Sequence, residues 1–152
     1  MSVTIDKNKF ASLNGNVWGD YEAPSHAELF EDGKGFNIDC GMKVFGGESR
    51  LLPKKSYALK FDRDYEGSLK YKVFDNRDAY DYKTLVLRSG SQDMFGTMFK
   101  DEMVTSLMDK YGTLDVQANK PIILYINNEY RGIYFIREKI DDEFIKNHYD
   151  VN

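Results

Sequence analysis

The 152-residue chain has one cysteine, two histidines, three prolines and one tryptophan. The single cysteine, Cys40, excludes an internal disulfide and a cysteine-ligated zinc site. His26 and His148 lie far apart in sequence, which argues against a histidine metal cluster. No apolar run approaches the roughly 20 residues that cross a bilayer, and no signal-peptide pattern opens the sequence as it stands. The net charge of −4 has the wrong sign for non-specific nucleic-acid binding. No repeat, low-complexity tract or linker divides the chain, so residues 1–152 read as one domain. What the sequence does have is aromatics: 11 Tyr and 10 Phe lean it towards β-structure. A composition 41% hydrophobic and 30% charged is that of an ordinary globular protein, long enough to bury one core.

The strongest local pattern is PIILYINNEYRGIYFIREKI, residues 121–140. Two apolar runs flank the turn residues Asn127, Asn128 and Glu129, which is a β-hairpin signature. Apolar residues at both parities, Ile122, Leu124 and Ile126 against Ile123 and Tyr125, predict strands covered on both faces. A second hairpin is predicted around EDGKG, residues 31–35. Strand patterns follow at residues 41–45, 56–61, 69–74 and 84–90. Residues 62–67, DRDYEG, begin like a calcium loop, but the twelfth position is Val73 rather than a bidentate Glu, so they read as a turn. Residues 1–20 read as an arm or first strand packing Trp18 down.

The best helix pattern spans residues 97–111. Phe99, Met103, Val104, Leu107, Met108 and Tyr111 form one apolar face with Lys100 in its middle, where a cation needs a partner or must reach out to water. A last helix starts at residues 141–149 with an acidic first turn and the stripe Phe144, Ile145, His148 and Tyr149. These segments predict an α+β fold: a mainly antiparallel sheet with one packed amphipathic helix.

Two places carry chemistry. GGESRLLPKKS, residues 46–56, joins two strands with a glycine pair followed by Arg50, Lys54 and Lys55; backbone N–H groups and cations so placed can cradle phosphate, and a solvated basic loop has the same composition. The charged exit Arg137-Glu138-Lys139 at the end of a core strand is the other.

In this order the segments resemble the spore coat protein H (CotH) kinase family, from about Ala23 to His148. FGGESRLLPKKSYALKF, residues 45–61, is similar to the family's glycine, Ser-Arg and Pro-Lys-Lys-Ser segment. LVLRSGSQD, residues 85–93, resembles its Leu-Arg-Asn-Gly segment ending in Asp. Lys100-Asp101 stands where the family has Arg-Asp. LYINNEYRGIYFIREKID, residues 124–141, resembles its Asn-Gly-Glu-Tyr-x-Gly-x-Tyr hairpin followed by Glu and Asp, with Asn128 in place of the turn glycine.

The resemblance implies the small, ATP-binding lobe of an atypical protein kinase that phosphorylates Ser of spore-coat or surface proteins, using ATP with a divalent cation. It makes Arg50 and Lys55 the expected phosphate contacts, Asp101 a group that orients a cation, and Glu138 a neighbour of the hinge that holds the base. It puts the protein on a spore coat, outside the cell or on its surface, with coat or surface proteins as partners. The family's metal-binding and catalytic aspartates lie on the large lobe, expected beyond residue 152; no residue of this chain is assigned as catalytic or metal-binding, and ATP binding by the chain alone is expected to be weak or absent. Two other readings stay open: a non-catalytic β-rich binding module using aromatics such as Tyr65, Tyr80 and Tyr82, and a structural coat component. An uncovered 141–149 stripe is expected to support a homodimer.

Overall fold

The computed structural model describes residues 1–62 and 64–149. Its elements are β1 (Ser2–Ile5), α1 (Lys7–Gly15), β2 (Ala23–Glu31), β3 (Lys34–Phe45), β4 (Ser56–Lys60), β5 (Leu69–Lys70), β6 (Asp81–Tyr82), β7 (Thr84–Arg88), α2 (Lys100–Tyr111), β8 (Asn119–Ile126), β9 (Glu129–Glu138) and α3 (Asp142–Tyr149). Seven strands close into a barrel in the order β1-β2-β3-β4-β7-β9-β8, and β5 and β6 form a separate two-stranded ribbon. Every pairing in the barrel is antiparallel except the one that closes it. There β1 runs parallel to β8, with Ser2 opposite Tyr125 and Val3 opposite Ile126. The fold is α+β and mainly antiparallel, as the sequence pattern predicts.

The turns explain the register. Asp32 and Gly33 (φ 44° and 79°) link β2 to β3, and Asn127 and Asn128 (φ 53° and 63°) link β8 to β9. Two successive left-handed residues twist a two-residue loop the way the strands twist. Asparagine tolerates that region, so Asn128 does the work of a turn glycine. Asn127 also ties the closure: its Oδ1 accepts from the Ile5 amide at 2.8 Å, and its own amide donates to the Val3 carbonyl at 2.9 Å.

Closure assigns one face of every strand to the interior. Val3, Leu59, Leu87, Leu124 and Ile136 point in and are fully buried. The central hairpin is therefore not covered on both faces: Ile123 is 53% and Ile133 52% exposed on the outside. A barrel has one interior, and apolar outer residues follow from β-propensity, not from a second layer.

Other elements depart from the pattern. Residues 7–15 form α1, started by Asp6, whose Oδ1 accepts from the amides of Asn8 and Lys9 at 3.0 and 2.9 Å; Asn and Gly within KNKFASLNG mask it in sequence. Trp18 is 61% exposed rather than packed down. Only Leu69 and Lys70 of residues 69–74 pair as strand, while Val73 and Phe74 are buried without being in one. Residues 62–67 do turn, with the Tyr65 and Gly67 amides donating to the Asp62 carbonyl; Arg63 lies outside the described residues, as do 150–152 of the last segment.

The helix expected at 97–111 is α2, which starts at Lys100, and a 3₁₀ turn at Ser91–Phe95 precedes it. The last helix folds back onto its own lobe. Phe144 is buried, Lys83 bonds Glu143 at 2.5 Å and Asn147 donates to the Asp81 carbonyl at 3.2 Å. Of the apolar stripe expected to be uncovered, Ile145 and Tyr149 remain exposed.

The interior and exterior of one strand should differ sharply in energy. Leu124→Ala should cost about 2–5 kcal/mol in urea denaturation, whereas Ile123→Ala should cost roughly 0.5–1 kcal/mol. Equal losses would contradict the assignment of faces.

Candidate functional site

The loop from Gly46 to Lys55 lies against the β8–β9 hairpin. Lys54 Nζ donates to the Ile133 carbonyl at 2.6 Å and sits 4.6 Å above the Tyr134 ring. Tyr134 donates its hydroxyl to the Lys55 carbonyl at 2.9 Å. Lys55 Nζ donates to the Leu52 carbonyl at 3.1 Å. Arg50, in a 3₁₀ turn at Glu48–Leu51, donates from Nε to the Gly46 carbonyl and from Nη1 to the Val17 carbonyl at 3.0 Å. All three cations meet carbonyl oxygens, which fix the side chains without cancelling their charge. Burial also holds the Lys54 ammonium below its ordinary pKa.

Beside this loop lies an outer face of the barrel. Lys43, Ala58, Val86 and Arg137 stand in one row across β3, β4, β7 and β9. Their strand neighbours Met42, Leu59, Leu87 and Ile136 belong to the core, so these four point outwards. Even so, Ala58 and Val86 are buried, because longer side chains rise around them. A pocket of about 260 Å³ opens here, walled by Phe45, Val86, Arg88, Gln117, Arg137, Lys139 and Ile140. That is below the usual ~300–1,000 Å³ of a ligand site, sized for a ring system rather than a whole nucleotide. The rim is cationic. Lys43 is held below its ordinary pKa by burial and then by Lys60, Arg50 and Lys139, which places four cations within electrical reach of one another. Lys60 pairs with Glu22 at 2.8 Å and Asp62 at 3.1 Å, Lys139 with Asp141 at 3.2 Å, and Lys43 with Asp20.

Helix α2 covers the other side of this face. Asp93 starts it, accepting on Oδ2 from the Thr97 hydroxyl at 2.6 Å and the Lys100 amide at 2.9 Å; these bonds hold its carboxyl below the ordinary range. The helix meets the barrel with its polar side. Asp101 reaches Arg137 at 2.8 Å and Arg88 at 3.0 Å. Glu102, 3% exposed, lies 3.0 Å from Arg88 and 3.9 Å from Arg137. One turn before the end, Asp109 accepts from Arg77 at 2.7 Å. The apolar face predicted to pack is the face turned to solvent. Periodicity located that face correctly but could not say which side the barrel takes.

Glu138 lies on the opposite side of β9 from Arg137. It enters the end of the barrel, where Oε2 accepts from the Ala118 amide at 2.8 Å and contacts His148 Nε2 at 3.2 Å, with Arg77 Nε 3.7 Å away. It joins β9, α3 and the segment before β8. Of the four residues picked out in sequence, Arg50 borders the cationic rim and Asp101 faces Arg88 and Arg137. Lys55 turns into its own loop, and Glu138 is internal. Arg88, Glu102, Ala58, Val86, Lys43 and Lys60 were not picked out; the strand alternation of SYALKF placed Ala58 and Lys60 on one face and was the available signal. Tyr65, Tyr80 and Tyr82 do not form an aromatic platform, since Tyr82 is buried with its hydroxyl on the Ala79 carbonyl at 3.1 Å.

The barrel thus carries α2 on carboxylate–arginine pairs beside a cation-rimmed apolar floor. A family model described as CotH kinase protein matches residues 42–152, and the chain belongs to that family. The match starts within β3 and takes in the basic loop, the outer floor, α2 and the central hairpin. No curated protein matches the chain.

Glu102 is a direct check on this geometry. Burial raises its pKa, against the opposing pull of Arg88 and Arg137. A carboxyl raised on folding contributes stability that is complete below the unfolded value, about 4.3, and is lost as pH rises through the native one. Urea denaturation of the protein and of Glu102→Gln should therefore show the native protein losing ground to the variant as pH rises from about 4. A native protein that gains on the variant over that range would mean the arginines outweigh burial.

Proposed function

We propose that the chain is the nucleotide-binding lobe of a protein kinase of the CotH family, taking ATP on the outer face of β3, β4, β7 and β9. The observation that carries this is the in-register row Lys43, Ala58, Val86, Arg137, an apolar floor between cations. A purine needs a flat apolar surface, and Ala58 leaves room for one against Val86. A triphosphate needs positive charge already brought together, and Lys60, Arg50 and Lys139 lie near enough to Lys43 to lower its pKa beside the effect of burial. Tyr57-Ala58-Leu59-Lys60 shows the outward Ala and Lys alternation of the kinase strand whose lysine meets the α- and β-phosphates and the helix glutamate. In this chain Arg88 and Arg137 meet the helix carboxylates instead, and Lys60 is held by Glu22 and Asp62.

The family's reaction moves the γ-phosphoryl group of ATP to a serine hydroxyl, with divalent metal supplied to the phosphates. The part this reading gives the lobe is to bind and orient the nucleotide. Arg50 and the Gly46 loop cover the phosphates, Ala58 and Val86 seat the base, and Asp101 and Glu102 keep Arg88 and Arg137 extended. Family membership points to coat or surface proteins as the phosphate acceptors and to a spore coat or cell surface as the location.

Titrating the ¹⁵N-labelled chain with ATP tests the reading at the weak affinity expected of one lobe. Shifts should concentrate at Ala58, Val86, Arg137 and Gly46–Arg50, and Ala58→Phe should abolish them. Arg50→Ala should weaken binding by about 1.5–3 kcal/mol, the worth of a charge-assisted hydrogen bond to phosphate. Shifts confined to another face, or unchanged in Ala58→Phe, would overturn it.

A further inference from the structure

Helix α2 is attached to the barrel by Asp101 and Glu102 and to the loop before β6 by Asp109; Phe99 and Met103 edge a groove beside Pro121, Ile133 and Phe135, and the rest of its apolar face turns away. Phe99, Met103, Val104, Leu107, Met108 and Tyr111 are between 42% and 73% exposed. At about 100° per residue, Leu107, Lys100, Tyr111 and Val104 form the centre line of that face, directly opposite Glu102 and Asp109. The six side chains make one contiguous apolar face in the size class, ~300–600 Å², of the largest patches on monomers, which are often functional.

We propose that this face joins two copies of the chain, with the α2 helices packed antiparallel about a two-fold axis passing between Thr105 and Ser106. The sequence is self-complementary in that arrangement. Val104 of each copy meets Leu107 of the other, and Lys100 meets Tyr111. Lys110 already lies 5.2 Å from one side of its own Tyr111 ring; the other side receives the Lys100 ammonium of the second copy, a cation–π contact. This gives the ammonium of Lys100, a cation in the middle of an apolar stripe, an aromatic partner across the contact. An isologous contact of this kind closes at two copies.

Sedimentation velocity over a concentration series tests the contact, with circular dichroism confirming that each variant folds. The chain should dimerise. Leu107→Asp, at a half-exposed position, should raise the dimer dissociation constant at least ~30-fold, while Ile145→Asp on α3 should leave it unchanged. Oxidising the double variant Val104→Cys, Leu107→Cys should cross-link the copies, with Cys40 buried and out of reach. A monomer at about 100 µM, a dimer that survives Leu107→Asp, or one lost with Ile145→Asp would each overturn the proposal, the last in favour of residues 141–149 as the contact.

Discussion

Closure of the barrel by β1 is the constraint on which the other features rest. That strand bonds antiparallel to β2 and parallel to β8, and so leaves the seven-stranded barrel no open edge. Once the strands form a ring, one parity of each is committed to a single dry interior, and the other parity has to carry whatever the protein does. Ala58 and Val86 are then outward residues despite being apolar, and Arg88 and Arg137 are outward residues despite sitting in the most hydrophobic strands. An open sheet with helices on both faces would have given those positions to packing.

The outer face is organised by charge rather than by burial. The loop after β3 spends Arg50, Lys54 and Lys55 on carbonyl oxygens, which fixes their positions and keeps their charge available. The helix does the reverse: its carboxylates meet Arg88 and Arg137 and hold them off the floor. Two kinds of attachment thus bound one shallow site. Glu102 shows what this costs, since a carboxylate 3% exposed gives up most of its hydration and has only the two arginines in return.

Much of this was legible in the sequence. Both tight hairpins were visible because Asp-Gly and Asn-Asn announce left-handed turns, and α2 was visible because six apolar residues recur at helical spacing. The direction in which that face points was not legible, because periodicity gives the phase of a helix and not the side its neighbour occupies. Closure was hidden for a similar reason: a four-residue β1 has no pattern of its own, and its pairing with β8 spans more than 120 positions. Arg50 and Asp101 were singled out from local motifs, and the structure puts Arg50 beside the cationic rim and Asp101 against Arg88 and Arg137. Glu138 was singled out in the charged strand exit and through the family resemblance; neighbours in a strand face opposite ways, and it turns from Arg137 to Ala118, His148 and Arg77. Ala58 and Val86 carry no chemistry in isolation and gain a role only when the register aligns them.

The attachment of α2 through ion pairs has a consequence for how the molecule responds to its solvent. Exposed charge pairs weaken as ionic strength rises and the screening length shortens, while strongly hydrated salts such as sulfate reinforce apolar burial. Barrel and helix therefore sit on opposite sides of one variable. Concentrated sulfate tightens the strands around their interior and weakens the seam at the half-exposed Asp101 more than at the shielded Asp109–Arg77 pair.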